Sequence, residues 1–97
     1  MEQVLAMFKA DLGITSTARD VYFTNFILSQ KAELEKKGFN LLIEIAGETP
    51  ANIEDVMLLS DYAAWLYRKR TENIPLSQNL QYRIRNRIVK ARSELNG

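Results

Sequence analysis

Apolar positions recur at helical spacing over most of the chain. In residues 2–12, Val4, Leu5, Phe8 and Leu12 share one stripe, and Gly13 supplies a C-terminal stop. Thr15, Ser16 and Thr17 then offer hydroxyls for an N-cap, with Asp20 favourably placed in the first turn. The pattern that follows predicts a helix over 17–37, with Phe23, Phe26, Ile27, Gln30 and Leu34 inward. Glu33, Glu35, Lys36 and Lys37 face water, and Gly38 ends the helix. Phe39–Ile45 is an apolar run too short to classify by period, closed by Gly47 and Pro50. It reads as an irregular or extended segment, a single short strand at most, covering one end of the core.

Asn52 is placed to cap a third helix over 53–70, with Glu54 and Asp55 in its first turn and Arg68-Lys69-Arg70 in its last. Ile53, Val56, Met57, Ser60, Ala63, Ala64 and Tyr67 share one face. Leu58, Leu59, Tyr62, Trp65 and Leu66 occupy much of the rest, so this helix is apolar nearly all round and belongs at the centre. Pro75 interrupts, and Ser77 or Asn79 restarts a last helix over 77–95. Its stripe is Leu80, Ile84, Ile88, Ala91 and Leu95. Arg83, Arg87 and Lys90 flank one side and Arg85 and Arg92 the other, with Tyr82 and Val89 at the back.

The expected fold is therefore all-α, one compact bundle of about four helices with an irregular or extended segment between the second and third. Its expected core is Leu5, Phe8, Phe23, Phe26, Ile27, Leu34, Val56, Leu59, Ala63, Leu66, Leu80, Ile84 and Ile88. At 97 residues the chain suits a single domain, able to bury roughly two-thirds of its unfolded surface. No run of about 18 apolar residues offers a membrane span, and the first residues lack the basic and apolar regions of a signal peptide. There is no cysteine, hence no disulfide, thiolate metal site or thiol nucleophile, and an intracellular origin fits.

Histidine is absent too, which removes the side chain most used as a base or metal ligand near neutral pH. Glu54, Asp55 and Asp61 form the densest carboxylate group, but helix-start charge accounts for the first two. Tyr62, Trp65 and Tyr67 read first as core aromatics and only second as a ligand pocket. The glycines are isolated terminators, so no phosphate-cradling loop is present. The expectation is a protein that is not an enzyme, with no catalytic residue, cofactor or metal.

Charge changes the picture most. The total is +1, yet residues 1–65 carry five basic side chains against ten acidic, while residues 66–97 carry eight against two. Such polarity suits a nucleic-acid contact, an acidic partner or head-to-tail self-association; the plain alternative is neutralisation within the chain. Arg83, Arg85, Arg87, Lys90 and Arg92, together with Tyr82 and Val89, are the candidate contact residues. No helix-turn-helix turn or zinc spacing accompanies them.

The order of pieces carries a resemblance. A first helix ends in Leu12-Gly13-Ile14-Thr15, Asp20 opens a helix running through Ile27 to Gly38, and a central helix bears Asp61-Tyr62-Ala63-Ala64-Trp65 and Tyr67-Arg68-Lys69-Arg70. A proline-started helix closes the chain. Over roughly residues 3–92 this resembles the small all-helical head–tail connector (adaptor, or head-completion) proteins of tailed bacteriophages and prophages.

The resemblance implies a non-enzymatic subunit of a homo-oligomeric ring docked between portal and tail around the DNA channel. Its partners would be portal and tail proteins, with non-specific DNA contact and no membrane. Its location would be the virion, or the bacterial cytoplasm before assembly. Such a ring needs complementary patches on each subunit, and channel arginines would touch phosphates without reading bases. The apolar Phe39–Ile45 run would either join the core or insert into a neighbour. Two other readings stand beside this one: a small helical DNA-binding regulator using the basic last helix, and a helical protein-interaction module or toxin inhibitor.

Overall fold

The computed structural model describes residues 1–43 and 52–96 and is an all-α bundle of four helices. These are α1 (Glu2–Leu12), α2 (Asp20–Glu35), α3 (Ile53–Lys69) and α4 (Gln78–Asn96). Among the described residues there is no strand, and no helix is long and apolar enough to cross a membrane. Among the described residues, α3 packs against each of the other three helices, α1 and α2 also touch each other, and α3 is the only helix that α4 meets. The result is a slab, 44 × 35 × 18 Å, whose last helix lies along one edge with an open outer face.

Local chemistry sets most helix ends. α1 closes on a Schellman turn: Gly13 sits at φ 71°, its N–H donates to Ala10 O, and Ile14 N–H donates to Lys9 O. Asn52 caps α3 through Oδ1, which accepts from the backbone N–H of Glu54 and Asp55. At α4, Ser77 Oγ accepts from Leu80 N–H, so Ser77 and not Asn79 restarts the chain after Pro75.

α2 is shorter than its pattern suggests. The hydroxyl segment forms a turn, in which Ser16 Oγ accepts from Ala18 N–H, and the helix starts at Asp20 with no side-chain cap. Asp20 instead pairs with Lys9 of α1 at 2.7 Å. The helix stops at Glu35, followed by a turn through Gly38 at φ 104°. Glu35 does not face water as expected. Half-buried, it binds Lys31 through Oε1 and accepts the Leu41 N–H through Oε2, which folds the next segment back onto the bundle.

That segment is extended and part of the core as far as it is described. Phe39, Leu41 and Ile43 are buried while Asn40 and Leu42 are exposed, the alternation of a strand, with no partner strand among the described residues. Glu44 and Ile45 lie outside the described residues.

The core gathers Val4, Phe8, Phe23, Ile27, Leu34, Val56, Leu59, Ala63, Leu80 and Ile84 with those extended-segment residues. Leu5, Phe26 and Ile88 pack against it from partly buried positions, and Leu66 is half-buried. Phe8, Phe23 and Phe26 converge on Tyr67 with ring centroids 5.6 to 5.9 Å from it. The α3 face differs from the expected one. Ile53 and Met57 point out, whereas Leu58 and Leu59 point in, because a helix touched on three sides is buried over most of its circumference.

Candidate functional site

α4 carries every residue expected to make outside contacts, and packing against α3 divides them. Leu80, Ile84 and Ala91 are buried on the α3 side; Leu95 has its side chain outside the described residues. Rotation about that stripe places Arg83 and Arg87 over α3 and sends Tyr82, Arg85, Val89 and Arg92 outward.

Arg87 is not an outward contact residue, which corrects the expectation. Only 12% of its side chain is exposed and Asp55 is wholly buried, with Nε 2.7 Å from Oδ1. Nη2 donates to the Asn40 carbonyl at 2.8 Å, and the guanidinium lies 5.4 Å from the Phe39 ring centroid. Nη1 is buried without an acceptor among the described residues. The other Asp55 oxygen accepts the Leu42 N–H at 3.0 Å. The pair thus clamps α3, α4 and the extended segment together. Arg83 is half-engaged in the same way, with Nη1 2.7 Å from Asp61 Oδ2 on a partly exposed edge.

Among the described residues, three ion pairs join the acidic and basic parts of the chain: Arg68 with Asp11, Arg83 with Asp61 and Arg87 with Asp55. Neutralisation within the chain therefore absorbs part of the charge polarity. Arg85, Lys90 and Arg92 remain exposed, and among the described residues none has an ion-pair partner. Beside them, Tyr82 is 62% exposed and Val89 58%, two turns apart on one face. A groove of about 400 Å³ separates this helix from α3, with Met57, Leu58, Arg83, Asn86, Arg87 and Lys90 among its walls.

The remaining candidates separate. Asp55 and Asp61 serve the ion pairs just described, and the described residues hold no group of three or more carboxylate, thiol or imidazole side chains able to bind a metal. Tyr62 and Trp65 pack on each other at 5.7 Å, and the indole N–H donates to Ile74 O, whereas Tyr67 belongs to the α1–α2 aromatic cluster. They do not line one pocket.

Two features escaped the sequence. The Asp55 clamp joins residues 32 positions apart, and no local pattern marks such a pair. Arg19 sits against Tyr22 and Phe23 beside a second depression; the sequence placed Arg19 inside the helix expected over 17–37 and offered no signal for it. Compared with protein-family models, with curated proteins and with solved structures, the chain matches none.

Proposed function

We propose that the protein is a non-enzymatic structural subunit that works by docking α4 against other proteins, and specifically a head–tail connector subunit of a tailed bacteriophage or prophage. The ring, the portal and tail partners and the genome channel come from the resemblance noted above. The observation that favours a docking role is the outward face of α4. Tyr82 and Val89 stand exposed there, amid Arg85, Lys90 and Arg92, which have no acidic partner among the described residues. Exposed apolar side chains set among basic ones support a protein contact here, since aromatics and Arg are enriched at interfaces.

The same geometry weakens the DNA-regulator reading. With Arg83 and Arg87 engaged internally, three α4 cations are left for phosphates. Three contacts give a log K against log salt slope of about −3, against roughly −5 to −9 for the six to ten contacts of a strong binder.

Light scattering behind size-exclusion chromatography, over a range of protein concentrations and at two salt levels, tests the proposal together with negative-stain imaging. Closed rings that salt weakens, and that Arg85→Glu with Val89→Asp disrupts without altering the melt, are the expected result. A monomer at every concentration that shifts duplex DNA at low salt would overturn it.

A further inference from the structure

At the junction of α1, α2 and α3, a depression of about 480 Å³ is lined by Arg19, Arg68, Arg70, Tyr67, Leu12 and Ile14, among others, and by no residue of α4. Of the three arginines only Arg68 has a carboxylate, that of Asp11 at 3.2 Å, and it also donates to the Asp11 carbonyl. Arg19 and Arg70 have no acidic partner among the described residues. Asp20, next to Arg19 in sequence, is held by Lys9.

The two unpaired guanidiniums are nevertheless held in place. Arg19 lies over the Tyr22 ring at 4.6 Å and the Phe23 ring at 5.3 Å. Arg70 Nη1 donates to the Tyr22 hydroxyl at 2.8 Å, and its guanidinium is 5.2 Å from the Tyr67 centroid. One tyrosine therefore anchors both. Stacking occupies the faces of a guanidinium and leaves its in-plane N–H donors available, the edge that pairs with a planar or tetrahedral oxyanion.

Helix electrostatics distinguish the two positions. Arg68 and Arg70, at the C-terminal end of α3, complement the helix dipole there. Arg19 stands at the N-terminal end of α2, where the dipole disfavours a cation and where no side chain caps the helix. A positive side chain held at the positive end of a helix, lining the same depression as a second cation without an acidic partner among the described residues, is offset by an anion bound there. We infer that this depression is a binding site for a small phosphate-type oxyanion, held by Arg19 and Arg70 and oriented by Tyr22. The site is independent of the docking role assigned to α4.

Isothermal titration with inorganic pyrophosphate at low salt tests this on the full chain. Saturable one-to-one binding is expected. Arg19→Gln with Arg70→Gln should weaken it at least tenfold, and Tyr22→Phe, which frees Arg70, several-fold. Arg85→Gln with Arg92→Gln should leave it unchanged. All three variants alter exposed side chains, and thermal melts confirm that they fold. Absence of saturable heat would overturn the proposal. So would equal weakening by both arginine pairs, which would mark general charge attraction.

Discussion

Asp55 Oδ1 accepts a 2.7 Å hydrogen bond from Arg87 Nε across 32 residues of chain, with the carboxylate wholly buried. Its second oxygen holds the Leu42 N–H, so one side chain fastens α3 to both α4 and the extended segment. Removing one partner of a buried pair leaves a desolvated charge and costs about 3–5 kcal/mol. Asp55→Ala should therefore lose about that much in denaturant unfolding, a large share of the roughly 5–15 kcal/mol typical of a domain. Asp55→Leu with Arg87→Leu should recover part of it, and a double-mutant cycle reads the coupling. A double variant as unstable as the sum of the singles would show that the clamp is not a coupled unit.

Ile84 and Arg85 are neighbours in sequence about 100° apart around α4, one buried and one exposed. Ile84→Asp places an unpaired charge in the core and should abolish cooperative thermal unfolding. Arg85→Glu with Arg92→Glu should move the melting temperature by no more than about 4–8 °C, since two surface changes of at most roughly 0.5 kcal/mol each sum to about 1 kcal/mol. Similar melts for the two variants would place the α4 stripe wrongly.

Gly13 adopts φ 71° at the end of α1, and a Cβ there meets nothing within 4 Å. The penalty for Gly13→Ala is thus purely conformational, about 1–2 kcal/mol for an L-residue in the left-handed region. A fall of several degrees in melting temperature checks it, with Gly13→Asn expected to lose less.

Burial, and secondarily the negative charge of Glu33, raise the Tyr62 hydroxyl above its ordinary pKa of 10.0. The fold therefore favours neutral Tyr62. Its contribution is complete below about pH 10 and is lost as pH rises through the folded-state value, because the unfolded chain ionises first. Urea unfolding between pH 8 and 11 should show a steeper alkaline loss in the parent than in Tyr62→Phe; identical slopes would contradict the shift.

Features made by near neighbours in sequence were legible before the fold was known. The Gly13 stop and the Asn52 cap depend on backbone groups a few residues away, so residue type and position were enough. Helix periodicity likewise identified four helices and placed the apolar α3 at the centre, since amphipathic period is a property of the chain alone. The extended Phe39–Ile43 segment was legible as non-helical and as a cover for one end of the core, but what fastens it there was not. That fastening depends on Glu35, Asp55 and Arg87, which arrive from three different parts of the chain.

The division of the arginines shows the boundary most clearly. Sequence periodicity alone determined that α4 has one apolar stripe with basic residues on both flanks, because 100° per residue fixes relative angles within a helix. It could not determine which flank meets α3. That choice sets the rotation of α4 about its own axis, and only tertiary packing decides it, through Ile84 and Leu80 in the core and Asp55 and Asp61 as waiting acceptors. Arg83 and Arg87 became internal fasteners, and Arg85 and Arg92 were left to meet something else.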